Sequence, residues 1–183
     1  MLSFFKLSRK KKEKLDVTIN KYVKSINDVI DSGFIEIKEF INENNNLDKN
    51  PGIKDDDIRW FRIIIILGNI SELKNYFPEP QASKMKDMII EDSLSHFRNS
   101  SFISIDHFID YDNYFNQLIS IHESSAKAMA YALFEKYEIN SSQVDLFRRK
   151  NEPNPVFIHE LKNLLSHFLW NWTDYLKKFK VSA

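Results

Sequence analysis

Apolar residues recur at steps of three and four along the first long segment of the chain, which is the spacing of one face of an α-helix. The residues on this stripe are Ile19, Val23, Ile26, Ile30, Gly33, Ile37 and Phe40. Tyr22, Val29, Phe34 and Ile41 widen it beyond the two-position seam of a coiled coil. The pattern predicts a long helix that packs into a globular core, with a kink at Gly33.

Proline residues mark the joints between the later elements, because proline breaks helices. They stand at positions 51, 78, 80, 153 and 155, and the blocks between them have helical length. We predict a polar loop over residues 42–57 and a second helix that begins at Asp55 or Asp56. Further helices are predicted over residues 80–97, 106–137, 143–150 and 155–180, with a break near Ser124.

The chain is long enough for one domain and apolar enough for a full core. It has 183 residues, of which 43% are hydrophobic and 14% aromatic. Only three glycines occur, which disfavours an all-β fold because tight turns need residues that accept positive φ. We therefore predict an all-α fold, a single-domain irregular bundle of about five to seven helices over residues 15–183.

The first 14 residues combine apolar side chains with a basic run. Leu2, Phe4, Phe5 and Leu7 accompany six Lys or Arg and one Glu. The apolar residues come first, the reverse of a signal peptide, and they are far too few to span a bilayer. We predict a basic flexible arm over residues 1–14, no transmembrane segment and a cytoplasmic location. The arm is either a solvated terminus or a contact site for anionic lipid or RNA.

Several chemistries are excluded by composition. The chain has no cysteine, so disulfides, thiolate zinc sites and cysteine nucleophiles are ruled out. The three glycines are too far apart for a phosphate-binding loop. The 26 basic residues balance 26 acidic ones, which argues against DNA as a partner. We expect no catalytic residues, no cofactor and no enzymatic activity.

An acidic segment covers residues 99–126, which contain no Lys or Arg. Its carboxylates are Asp106, Asp110, Asp112 and Glu123, and we take them as candidate partner-binding residues. His107 and His122 lie in the same segment, so a metal-dependent helical-bundle hydrolase is an alternative. The paired Glu-x-x-His repeats of helical metal sites are missing, however, and we therefore expect no metal.

Trp60 and Arg62 are further candidates for partner contact, since Trp and Arg dominate many protein interfaces. The alternative is an ion network within the helix, with Asp55 paired to Arg59 and Trp60 in the core.

Trp170 is the last candidate for partner contact. It stands two residues before Trp172, so the two side chains point in nearly opposite directions on a helix. With Trp172 on the inward stripe, Trp170 is expected to be exposed. Residues 146–180 are basic, and a basic surface opposite an acidic one suits a specific protein partner.

These observations favour a non-enzymatic protein-interaction module that neutralises or regulates a partner protein. A role like that of a toxin-immunity protein is one version. The richness in Ile, Asn and Lys fits an AT-rich bacterial genome. A homodimer through the first helix is compatible with this hypothesis. The metal-dependent hydrolase and the peripheral lipid or RNA binder stay open as alternatives.

Overall fold

The computed structural model describes residues 10–96 and 105–182, and it confirms the all-α fold class. The helices of these residues are α1 (Leu15–Asn42), α2 (Ile58–Glu72), α3 (Glu79–His96), α4 (Ile105–His122), α5 (Ser125–Lys136), α6 (Asp145–Lys150), α7 (Pro155–Ser166) and α8 (Trp172–Lys178). Two short strands, β1 (Lys11–Lys14) and β2 (Phe179–Ser182), pair in parallel. In the described part of the chain they form the sole sheet.

Helix α2 lies at the centre of the bundle. Residues 63–70 are all buried, which is typical of a helix that is covered on every side. It packs against α1, α4 and α5. Helix α5 contributes the small buried side chains Ala128, Ala130 and Ala132, which let it approach α2 and α7 closely.

The apolar stripe of α1 packs into the core as predicted, apart from Val29, which is 41% exposed, and the helix continues through Gly33. A Cβ at this position would lie 2.6 Å from Cζ of Phe168, whose ring packs against the helix there. The glycine therefore makes room for a neighbouring ring, a packing role that the sequence does not indicate.

The helix predicted over residues 106–137 breaks near Ser124, as expected. Glu123 adopts a left-handed backbone with φ of 52°, and Ser124 caps α5 by accepting a hydrogen bond from the Lys127 amide. The carboxyl-terminal helix differs from the prediction. It ends at Ser166, and a turn separates α7 from α8.

The basic arm predicted over residues 1–14 is also revised. Residues 11–14 form β1, which pairs with β2 at the other end of the sequence, so these four residues are part of the fold. Residues 1–9 lie outside the described part of the chain. Among the described helices, none is both long and apolar enough to cross a membrane.

Candidate partner-binding groove

A groove with a volume of about 680 Å³ lies between α3 and α4. Its apolar lining consists of Ile90 and Leu94 from α3 and of Phe108 and Ile109 from α4. Phe108 is buried and forms part of the core, whereas the side chain of Ile109 is 52% exposed. The groove is therefore an apolar surface that stays open to solvent along one side of α4.

Carboxylates dominate the polar edge of this groove. Asp87 and Glu91 of α3 and Asp112 of α4 line it, together with Lys86, the one cation among the lining residues within 10–96 and 105–182. Lys86 Nζ lies 2.5 Å from Asp112 Oδ2, so this cation is engaged by a carboxylate of the groove itself. We call this polar edge of the groove the rim. Asp87 and Glu91 are exposed, so the rim presents negative charge beside the apolar lining.

The acidic residues predicted from sequence separate into two locations. Asp106, Ile109 and Asp110 follow each other at the three- and four-residue spacing of one helix face, and both carboxylates are exposed. Asp112 reaches into the groove through its ion pair. Glu123 follows the last residue of α4, thirteen residues and about 20 Å from Asp110, and lines a different cleft.

Trp60 and Arg62 have partners inside the protein. The half-buried Trp60 ring packs against Tyr111, with ring centroids 5.3 Å apart, and Lys136 Nζ lies 3.3 Å from its centroid. Arg62 forms an ion pair with Asp31 of α1. These contacts join α2 to its neighbouring helices, so both residues have a structural role.

Asp55, a member of the predicted ion network, contacts another helix in the structure. Asp55 pairs with Lys38 of α1 at 2.6 Å, so the contact joins two elements and does not run along one helix. Arg62 likewise reaches across to α1, where its Nη1 also donates to Asn27 Oδ1.

Trp170 belongs to an aromatic cluster and is partly buried. Its ring packs edge-on against Tyr22 at 5.6 Å and also contacts Trp172 and Tyr175. The turn between α7 and α8 places both tryptophans on the same side, because the residues there do not continue a helix. The prediction that Trp170 is presented to solvent therefore fails for most of its side chain.

No group of three or more metal-ligating side chains occurs among the residues that the structure describes. The His122 ring stacks on Tyr131, with centroids 3.8 Å apart. Burial, with the nearby charge of Lys127, lowers the pKa of His122, so its neutral form is favoured. This packing offers a structural reason for the histidine.

A second, polar cleft of about 530 Å³ lies where α2 ends and α5 begins. The buried Ser125 hydroxyl donates to Glu72 Oε1 at 2.5 Å and lies 2.8 Å from the Ser71 hydroxyl. A carboxylate beside the positive end of a helix is favourable, so the cluster joins the two helices. No histidine lines this cleft in the described part of the chain.

Sequence reasoning identified the acidic carboxylates but missed the apolar side of the groove. Ile109 stands between Asp106 and Asp110 on the same helix face, and this isolated apolar residue was the available signal. Ile90 and Leu94 gave no such signal, since half-buried apolar residues on α3 are equally typical of core packing. Compared with known proteins, the chain matches no family model, no curated protein and no solved structure.

Proposed function

We propose that this protein is a non-enzymatic interaction module that binds a basic, amphipathic segment of another protein in the α3–α4 groove. The observation that carries the proposal is the combination of an open apolar lining with a carboxylate rim. Neutralising or regulating the partner, as a toxin-immunity protein does, is the biological version that we favour.

The apolar lining supports a side chain that anchors the partner. Ile109 is 52% exposed beside Ile90 and Leu94, and covering such a surface releases free energy in proportion to the apolar area removed from water. Residues 86–94 extend for about two helical turns, so the groove has the length to hold about two turns of a partner helix.

The charge of the rim selects the partner. Asp87 and Glu91 face solvent beside the groove, and Asp106 and Asp110 lie on the adjoining face of α4. The protein as a whole is formally neutral, so the negative potential of these carboxylates is local. It acts on a partner that is already close to the groove. Lysines flanking the apolar residues of a partner helix would meet these carboxylates.

The proposal is tested with a fluorescently labelled amphipathic peptide of Leu and Lys, about five helical turns long. Fluorescence anisotropy should show saturable binding to the native protein. A twin peptide with Glu in place of Lys should bind at least tenfold more weakly, because the rim then repels it.

Two variants locate the binding on the groove. Ile109→Lys removes the exposed apolar contact and adds repulsion, and it should weaken the Leu/Lys peptide at least tenfold. Ile35→Lys changes an equally exposed isoleucine of α1, at 54% against 52%, and should change affinity by less than twofold. Equal binding of the two peptides, or equal losses in the two variants, would contradict the proposal.

A further inference from the structure

The parallel sheet that joins the two ends of the described chain has two chemically different faces. Lys11 pairs with Phe179, Lys12 with Lys180, Glu13 with Val181 and Lys14 with Ser182. Side chains alternate between the faces of a strand, so paired residues and their second neighbours share a face. One face therefore carries Lys11, Glu13, Phe179 and Val181, with Lys11 exposed at its end, and the other carries Lys12, Lys14, Lys180 and Ser182.

The face with Glu13 is turned toward the protein. Phe179 packs against Tyr175 with ring centroids 4.8 Å apart, and Val181 is half-buried. Glu13 accepts hydrogen bonds from Lys21, Thr18 and Tyr175. The one carboxylate of the sheet is thus neutralised on the inner face.

The opposite face, which we call the lysine face, consists of Lys12, Lys14 and Lys180 with Ser182, and all four are exposed. Among residues 10–96 and 105–182, none of the three ammonium groups forms an ion pair. Lys12 stands directly opposite Lys180, and like charges in this position destabilise a sheet. The arrangement costs stability and leaves its charge available to a ligand.

We propose that the lysine face binds the surface of an anionic lipid membrane. Lysines presented together add about 1 kcal/mol each to attraction toward anionic lipid. Leu2, Phe4, Phe5 and Leu7 stand just before β1 in the sequence, and apolar residues beside a basic cluster are typical of peripheral membrane contact.

Single-stranded RNA fits the lysine face less well. Nucleotide bases stack on exposed aromatic side chains, but the aromatic residue of the sheet, Phe179, lies on the inner face against Tyr175. The cations are lysines, which act as point charges and lack the bidentate geometry that arginine offers to phosphate and bases. Lipid headgroups require only the charge.

The test is co-sedimentation of the full chain with vesicles of phosphatidylcholine that contain about 30% phosphatidylserine, compared with phosphatidylcholine alone. The native protein should partition onto the anionic vesicles, and raising the salt from about 0.1 to about 0.5 M should abolish most of this binding. The triple variant Lys12→Gln, Lys14→Gln, Lys180→Gln should lose at least tenfold in partition. Ile109→Lys should keep partition, which separates this proposal from the groove.

The matched control is Lys24→Gln, Lys49→Gln, Lys150→Gln, which removes three exposed lysines elsewhere. It alters net charge equally and should change partition by less than twofold. Thermal unfolding checks that each triple variant is folded, and Lys12→Gln alone should lower partition two- to fivefold. Absence of binding to anionic vesicles, equal losses in both triples, or binding of the lysine face to single-stranded RNA but not to vesicles would overturn the proposal.

Discussion

Lys86 Nζ and Asp112 Oδ2 are 2.5 Å apart. This ion pair lies between the apolar groove and another cleft, which residues of α2, α3 and α4 line. Lys86 is also the one cation among the described residues that line the groove. The pair both joins α3 to α4 and moderates the negative charge of the rim.

Replacing Lys86 by Met should therefore have two opposite effects. Stability should fall by about 0.5–1 kcal/mol, because Asp112 is partly buried and loses its partner. Affinity for the Leu/Lys peptide should rise two- to fivefold, because the rim becomes more negative. Urea denaturation and anisotropy measure the two quantities, with Lys84→Met, an exposed change on the same helix, as the control. A fall in peptide affinity would contradict the role assigned to the rim.

Tyr22 and Tyr137 form a natural pair for measuring the value of a buried hydroxyl. Within the described residues Tyr22 Oη has no hydrogen-bond partner, whereas Tyr137 Oη donates to the Asp57 carbonyl at 2.9 Å. Tyr22→Phe should leave stability unchanged or raise it by about 1 kcal/mol. Tyr137→Phe should lower it by about 1 kcal/mol. Urea denaturation of both variants decides, and a loss of more than about 1 kcal/mol in Tyr22→Phe would show that its hydroxyl has a partner.

Asn69 organises the turn between α7 and α8. Its Nδ2 donates to the Phe168 carbonyl at 2.9 Å, and its Oδ1 accepts from the Trp170 amide at 2.7 Å. The residue is buried, so Asn69→Ala leaves both backbone groups unsatisfied and should cost about 2–4 kcal/mol. The exposed change Asn45→Ala should cost less than about 0.5 kcal/mol. If chemical denaturation gives similar losses in the free energy of unfolding for the two variants, Asn69 does not stabilise this turn.

Glu13 predicts a pH dependence at the terminal sheet. Burial by itself raises the pKa of Glu13, but hydrogen bonds from Lys21, Tyr175 and Thr18 outweigh it and hold the pKa below the ordinary 4.5. A carboxyl group with a lowered pKa in the folded state stabilises the protein above its unfolded pKa. This contribution is lost as the pH falls through the folded value.

The native protein should therefore be more stable than Glu13→Gln at pH near 7, and the difference should shrink as the pH falls below about 4.5. Denaturation curves at steps from pH 7 to pH 3 measure the difference in free energy of unfolding. Glu36→Gln, an exposed change on α1, serves as control and should show a much smaller difference throughout. A native advantage over Glu13→Gln that is independent of pH would contradict the assignment.

Local patterns predicted the helices because the information lies within a few residues. The stripe of α1, the proline joints and the break at Ser124 all depend on neighbours along one segment. The sheet does not, since Lys11 pairs with a residue 168 positions away. The turn after α7 likewise depends on Asn69, 99 positions before the carbonyl that it binds. The helix or strand preference of a short segment carries no information about contacts between residues so far apart in the sequence.

The candidate groove, too, could be predicted only in part from the sequence. Charge is visible in sequence, so Asp106, Asp110 and Asp112 were found, although their relation to α3 was not. Trp60 and Arg62 stay predictions for partner contact, because their residue types suit an interface and an internal contact equally. Their contacts with Tyr111 and Asp31 give each of them a structural role that the sequence alone does not locate.

The most direct test of the groove is a methyl NMR titration of isoleucine-labelled protein with the Leu/Lys peptide. Ile90 and Ile109 line the groove, while Ile35 and Ile121 are exposed elsewhere, at 54% and 69%. We expect saturable shifts at Ile90 and Ile109, with Ile35 and Ile121 unchanged. Shifts at Ile35 or Ile121 without changes at the groove, or no shifts at peptide concentrations that saturate the native protein, would contradict the account.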